Sequence, residues 1–423
     1  MSATLTTFDA MLKEFYIDKV PEAVNQKITL KDHFAKRTDS KVDGRRVIYP
    51  IHVGRNTGVG AIAEGGNLPT AGNQQYVDMI VPFRYNYGRI QLTAQAMKQS
   101  MTSKSAFRKA VDEEIKRAAK DVGREINRQM FGFGRGDLCH VDGAQSSTTL
   151  NVKNPGGVVG AVNAARFLRK GDVIALVTSA GVFNAAVTVV SVAANLSSIV
   201  VTPTVAANDN DRIVRCSTAA STSLNDTGYA NEVMGLLGHI DDATYASTYH
   251  GISRSSYPIM NSYVLDANGD LKLETIQQAF DGADQLGNGV IKVLFGHHTA
   301  RAEYLGLLQT FRRYVDAAAK SPDGGFKGAA LASDIEYSEK PWKVDRDAPY
   351  GMIFGIDDSN MFRYVVSEAE WAEEDGRILM RVAGVDAYEA RFRIFDNYAC
   401  DTPNSSFVIR NVTTKAPAAI QAI

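Results

Sequence analysis

The stretch Ser103–Gly136, SKSAFRKAVDEEIKRAAKDVGREINRQMFGFGRG, is the longest segment of the chain whose apolar residues keep a single period. Phe107, Val111, Ile115, Ala118, Val122, Ile126 and Met130 recur every three or four residues, which is one stripe of an α-helix. The opposite face carries Lys109, Glu113, Lys116, Arg117, Lys120, Asp121, Arg124 and Arg128, and is solvated or meets a polar partner. Thr102, Ser103 or Ser105 offers an oxygen to the free amides of the first turn, and Gly132, Gly134 and Gly136 end the helix. At roughly 1.5 Å per residue, a helix from Ser105 to Phe131 is a strut of roughly 40 Å. Its i,i+4 ion pairs contribute about 0.2–0.5 kcal/mol each, so burial of the apolar stripe has to hold it.

Upstream, Val47 to Val53 alternates like a strand, with Pro50 favouring a sheet edge. Glycines at 54, 58, 60, 65, 66 and 72 follow, with Pro69, and then the extended run Val77 to Leu92, VDMIVPFRYNYGRIQL. Gly58-Val59-Gly60 mimics half of a dinucleotide fingerprint, but no helix follows it, so a phosphate site is disfavoured. The run reads as a long hairpin whose tip is AEGGNLPTAGN. A hairpin that long and that polar at its tip buries little of its own surface, so it is expected to be an arm lying on another subunit, the alternative being a surface loop.

Residues 1 to about 45 read as a short amphipathic turn (Phe8, Met11, Leu12, Phe15) followed by a polar arm with Lys31, Lys36, Arg37, Lys41, Arg45 and Arg46. These basic residues are expected to form a solvated surface rather than a nucleic-acid site. Downstream of the strut, Asp137 to Leu150 reads as a loop. From about Leu168, short β-branched runs (RKGDVIALV, NAAVTVVSV, SSIVVTP, DRIVRC) recur every 8 to 12 residues, and charge nearly vanishes within Ala175 to Ala207. They mark a small all-β module with ends near Ser146 and Ser223. Leu271 to Leu286 is a helix, Ile291 to Phe295 a buried strand, and Thr299 to Lys320 a second helix. Strands near Tyr350 to Ile356, Met361 to Ser367, Ile378 to Val385 and Ala390 to Phe395 close the chain, with Asp375-Gly376 as a tight reversal.

The 423 residues exceed one simple core and imply two or three domains. Lys plus Arg (46) against Asp plus Glu (47) leaves a net charge of −1, so no overall basic field recruits nucleic acid. Cys139, Cys216 and Cys400 are scattered, without zinc-site or disulfide-framework spacing, which points to a reducing compartment. The N-terminus lacks a basic start followed by an apolar core, and no apolar run approaches a membrane span. The protein is expected to be made and used in the cytosol, or released only by lysis.

Chemistry is sparse. His297 and His298 are adjacent, and adjacent side chains diverge, so a helix-start role is preferred to metal ligation. Asp266, Asn268 and Asp270 open like a calcium loop, yet position twelve is Gln277, and an ordinary turn accounts for them. Glu370, Glu373, Glu374 and Asp375 form an acidic turn without an apolar surround to raise a carboxyl into a working range. With no nucleophile elbow, Walker loop or His-Glu-x-x-His, no catalytic, cofactor-binding or metal residue is assigned, and the chain is not expected to be an enzyme.

The order of parts is itself specific. Residues IAEGGNLPTAGNQQYVDMIVPFRYNYGRIQLTAQAMKQS leading into AFRKAVDEEIKRAAKDVGREINRQMFGFGRG resemble the E-loop and spine helix of tailed-bacteriophage major capsid proteins of the Hong Kong 97 type. LETIQQAFDGADQLGNGVIKVLFGHHTARAEYLGLL is similar to the helix, strand and helix of that family's A domain. The resemblance covers roughly residues 30 to 412, apart from the β module. It implies an α+β fold divided as follows: an N-arm at 1–53, the E-loop and its flanking strands at 54–100, the P-domain spine helix and turn at 101–149, an inserted β-barrel-like module at 150–222, a mainly A-domain region at 223–360, and returning P-domain strands with a C-terminal strand at 361–423.

Assembly contacts are then expected from the E-loop residues Glu64, Gly65, Gly66, Asn67, Leu68 and Pro69, from Phe107, Val111, Ile115, Val122 and Ile126 of the spine helix, and from Lys36, Arg37, Arg45 and Arg46 of the N-arm. The resemblance implies hexamers and pentamers closing an icosahedral shell in the host cytoplasm, a scaffolding protein, a portal, possible decoration, and non-specific contact with packaged double-stranded DNA. Some relatives lock the shell by an isopeptide bond from an E-loop lysine; here no lysine lies between Lys41 and Lys98, so that bond is expected to be absent. The short N-terminus implies a separate scaffolding protein, or none. An encapsulin-like nanocompartment shell is the alternative on the same fold, and a ligand-binding enzyme the alternative of another class.

Overall fold

A computed structural model describes residues 30–37, 44–95, 104–155, 163–315, 335–373 and 378–414, with the backbone alone over 104–116 and 309–315. Helix α1 (Lys104–Met130) spans 27 residues, within one residue of the end that its period predicts. Its C-terminal half buries Ala119, Ile126 and Met130, with Val122 partly covered, while the side chains of Phe107, Val111 and Ile115 fall outside the described residues. The helix lies on strand Arg84–Thr93, which alternates between half-buried and exposed residues. A Cβ at Gly88 of that strand would sit 2.7 Å from Val122 Cγ2, so glycine sets how closely helix and strand approach.

That strand pairs antiparallel with the long strand Ala387–Cys400, which pairs in turn with Met361–Trp371, and the short Ala35–Lys36 adds to the far side in parallel. The expected single run Val77–Leu92 is therefore two strands in two different sheets. Gln75–Pro82 pairs with Arg46–Gly54 as a separate two-stranded ribbon, and the break falls at Pro82, which has no amide hydrogen. The expected strand Ile378–Val385 shrinks to Met380–Arg381, and the Asp375-Gly376 reversal lies outside the described residues.

The second body is a six-stranded sheet ordered 263–270, 407–413, 353–356, 293–296, 340–344, 335–337. Helices α2 (Leu273–Gly287) and α3 (His298–Val315) flank it, close to their expected positions. Ile276, Ala279 and Ala283 of α2 and Ala300 and Tyr304 of α3 share a core with Leu294, Trp342, Phe407 and Ile409. Asp266, Asn268 and Asp270 do not form the expected turn. They lie in the strand Tyr263–Asp270, where a register shift between Asp266 and Gly269 puts Asn268 at φ 44°.

The inserted module is a closed barrel of six strands: Asp137–Val141, Gln145–Lys153, Val173–Val177, Phe183–Val192, Ser198–Ala207 and Arg212–Arg215. It starts at Asp137, inside the segment expected to be a loop and ahead of the expected boundary at 150, because Asp137–Val141 pairs with Arg212–Arg215, far along the chain. Leu150, Leu168, Ile174, Leu176, Val187, Ile199, Val201 and Ile213 fill its interior. Two chain crossings form its neck. There Gly136, at φ +84°, passes so near the Gly228 carbonyl that a Cβ would lie 2.4 Å from the oxygen.

One polar residue expected on the open face of α1, Arg128, is buried beside this neck, while Arg117, Lys120 and Asp121 stay exposed. Arg128 is 7 % exposed, with the Phe167 ring over its guanidinium on one side and Glu232 bonded to it on the other. Of the two expected roles for that face, solvation holds at Arg117, Lys120 and Asp121 and a polar partner is met at Arg128.

Candidate assembly surfaces

The ribbon of Arg46–Gly54 and Gln75–Pro82 projects a tip of residues 55–74 that lacks regular structure. A tight turn closes it, with Gly66 N donating to the Ala63 carbonyl at 3.0 Å and Gly65 at φ +75°, a region glycine enters without strain. Glu64, Gly65, Gly66, Asn67 and Leu68 are all exposed and Pro69 is half-buried. Leu68 is 87 % exposed and Val59 78 %, and Ile62 is also exposed, so the tip holds out apolar side chains that none of the described residues covers. Leu68 and Val59 sit where a monomer gains nothing from them.

The base of the ribbon is held firmly. Met79, Val81 and Phe83 are buried with Tyr249, Ile252, Met260, Tyr364 and Ala399. Ile80 N donates to the His250 carbonyl at 2.8 Å, and Tyr249 Oη donates to the Cys400 carbonyl and accepts from Cys400 N. His239 Nδ1 bonds Tyr249 Oη at 2.7 Å, and His250 Nε2 bonds the Tyr398 carbonyl at 3.0 Å. Both imidazoles are buried, and burial pushes His239 far down and His250 to about 3, so both stay neutral.

The basic arm residues do not act as a set. Arg37 Nη1 donates to Tyr364 Oη at 2.7 Å, reaches Asp401 Oδ2 at 3.5 Å and lies over the Phe362 ring at 4.3 Å. Tyr49 of the ribbon donates to Asp401 Oδ1 at 2.6 Å, and burial, followed by the Asp401 charge, pushes its phenol up. Arg37 therefore ties the ribbon base to the sheet while remaining half-buried. Lys36 pairs with Glu368 at 2.7 Å, while Arg45 and Arg46 remain exposed at the ribbon base. Residues 1–29 and 38–43, Lys41 among them, lie outside the described residues.

Sequence reasoning missed a further surface, the outer face of the sheet beside the ribbon. Tyr85 and Tyr87 are exposed and pack edge-on to Phe395 at 5.0 and 5.5 Å, with Arg393 bonded to Glu370 at 2.8 Å alongside. The alternation Tyr85, Tyr87, Arg89 within the β run was the available signal.

The histidine pair is settled locally. His298 opens α3, and the Nδ1 of His297 accepts from Thr299 N at 3.2 Å, the expected helix-start role. Among the described residues no group of three or more His, Cys, Asp or Glu is placed to hold a metal ion, and no helix is long and apolar enough to cross a membrane.

No family model and no curated protein matches the chain. Solved structures do match. A chain of the cyanophage A-1(L) capsid asymmetric unit is similar at 13 % identity and TM-score 0.52, over 92 % of this chain and 93 % of that one. The capsid of the native GTA particle matches at 9 % identity and TM-score 0.45, over 92 % and 91 %. The encapsulin of the holo-SrpI complex from Synechococcus elongatus PCC 7942 matches at 10 % identity and TM-score 0.41, over 92 % and 89 %. The first match shows the fold: a mixed α+β chain with the phage capsid architecture along nearly its whole length.

Proposed function

We propose that this chain is a major capsid protein, assembling as hexamers and pentamers into an icosahedral shell that encloses a phage genome in the host cytoplasm. The observation that carries the proposal is the ribbon. Its base is locked to the body by Tyr49, Arg37 and the Tyr249 cluster, while its tip presents Leu68 and Val59 uncovered. An element rigid at one end and apolar at the other fits a heterologous contact, in which a tip on one subunit meets a different surface on the next. Repeated around a ring such contacts close, and with curvature they form a shell.

On this reading Glu64 to Pro69 make the contact with the neighbour, α1 is the spine that keeps ribbon and body in register, and Arg45 and Arg46 are the arm's exposed cations. A scaffolding protein, a portal and a decoration protein are the expected partners, and packaged DNA is met through phosphate contacts without base readout. The chain itself carries no catalytic role.

The test is to express the chain alone and with an adjacent scaffold gene, then examine sedimentation and negative-stain images. Rings of five and six subunits or closed shells support the reading. A folded monomer in both preparations overturns it.

A further inference from the structure

A cavity of about 300 Å³ opens where α1, the barrel, the strand Arg84–Thr93 and the loop after the strand Lys340–Val344 meet. Four arginines reach its wall from four pieces of chain: Arg124 from α1, Arg169 from the segment between the second and third barrel strands, Arg215 from the last barrel strand, and Arg346 from the loop. A fifth, Arg128, is matched by Glu232. Four carboxylates, Asp121, Glu125, Asp172 and Asp347, share the wall, so charge alone is balanced. Hydrogen bonding decides what the cavity can hold.

The inner carboxylates are anchored by donors of this chain. Glu125 accepts from Arg128 Nη2 on Oε1 at 2.5 Å and from Arg215 Nε on Oε2 at 3.1 Å. Asp172 Oδ2 accepts from the Arg169 amide at 2.9 Å, and Asp347 Oδ2 from Asn127 Nδ2 at 2.7 Å. Asp121, with its side chain 63 % exposed, is served by water. The donors are less fully used. Arg215 Nη1 lies 3.8 Å from Asp172, and Arg124 Nη1 lies 3.6 Å from Asp121, both beyond hydrogen-bond distance. Arg124 therefore brings a whole guanidinium, and Arg215 both of its Nη groups, without an acceptor among the described residues. Asn86, on the same wall, accepts from Gln129 Nε2 with Oδ1 at 3.0 Å, and its Nδ2 is buried with no acceptor among the described residues.

We propose that this cavity is an oxyanion site for a small phosphoryl compound of the diphosphate class, bound by Arg124, Arg215 and Asn86, with the exposed Arg169 and Arg346 adding positive charge at its rim. The donors come from helix, barrel and sheet. A tetrahedral oxyanion presents oxygens on all sides, whereas a carboxylate offers two in one plane. Guanidinium groups bind phosphoryl oxygens in pairs, and a ligand with two linked phosphoryl groups can engage Arg124 and Arg215 at once. Bound there, it ties α1 to the barrel through a group that neither contributes. A free diphosphate and a nucleic-acid backbone offer the same chemistry, and the test separates them. The inference stands on the cavity wall and does not depend on the shell reading.

Isothermal titration of the full chain with sodium diphosphate, at an ionic strength held constant with sodium chloride, is expected to show saturable binding at one site per chain. Arg124→Gln is expected to weaken it about tenfold or more, the loss of one charge-assisted bond, and Arg215→Gln likewise. Lys170→Gln, which removes an exposed charge off the cavity wall, should leave it unchanged. An oligonucleotide without terminal phosphates that displaces diphosphate supports the site with a nucleic-acid backbone as its source; one that does not displace it supports the site with a free compound as its source. Phenylglyoxal labelling of the unaltered chain, read by mass spectrometry, needs no variant. Diphosphate is expected to protect Arg124 and Arg215 while Arg46, exposed on the ribbon, reacts at an unchanged rate. Heat that does not saturate, full binding by folded Arg124→Gln, or protection that is absent or equal at Arg46 means an adventitious ion only and overturns the proposal.

Discussion

The ribbon and the barrel are both β-structure, yet they solve the problem of sheet edges in opposite ways. The barrel closes on itself, pairing strand Arg212–Arg215 with both Asp137–Val141 and Val173–Val177, and surrounds its own apolar interior. The ribbon has two strands and no closure, so it borrows a core at its base and leaves its tip bare. A region that can bury its own residues is stable without partners. One that cannot is committed to contacts made elsewhere.

The most direct way to break this comparison is to empty the barrel. Leu176 is fully buried, so Leu176→Ala is expected to cost about 2–5 kcal/mol. Scanning calorimetry should then show the barrel unfolding in a separate, earlier transition while the ribbon base survives. A single transition lowered as a whole would mean that barrel and body fold as one unit.

Acid should act the other way round. His250 titrates at about 3 in the folded chain against 6.5 when exposed, because burial, with Arg84 and Arg254 nearby, disfavours its charge. The unfolded chain then binds the proton first, so stability is lost as pH falls from 6.5 toward 3, on the order of 4 kcal/mol for this group. Unfolding monitored against pH should begin with exposure of the ribbon seat, and His250→Gln should flatten the slope over that window. An unchanged slope would place the sensitivity elsewhere.

A smaller effect is expected at the ribbon base, where Tyr49→Phe removes the donor to Asp401 Oδ1 and should cost about 1–3 kcal/mol in chemical denaturation. Least of all, Leu68→Asp at the bare tip should change the stability of the single chain by no more than about 0.5 kcal/mol. Its effect should appear in sedimentation instead, as loss of higher assemblies. Assembled particles, boiled and reduced, should run as one band, since the ribbon offers no lysine amine.

What could be read in advance follows the range of the interactions. α1, α2 and α3 were legible because a helix is decided within a few residues, and the ribbon because its glycines and alternation are local. Asp137–Val141 was not, because its partners are Arg212–Arg215 and Gln145–Lys153 and the five residues DLCHV carry no alternation of their own. The division of Val77–Leu92 was hidden for the same reason: one extended run looks alike whether it serves one sheet or two. Arg37 and Arg128 show the limit for charged residues. Sequence reveals that they are cationic, but only Tyr364 and Asp401 in the one case, and Glu125 and Glu232 in the other, reveal that the charge is spent inside the molecule.

The neck also carries a practical meaning. The barrel's first and last strands pair with each other, Asp137 opposite Val214, so the two points where it enters and leaves the body are neighbours. A foreign domain whose own ends lie as close together could be exchanged for it by splicing at two adjacent positions, without stretching α1 or the strands that follow. The chain is in that sense built with a socket, and a shell made from it would repeat a grafted domain once per subunit.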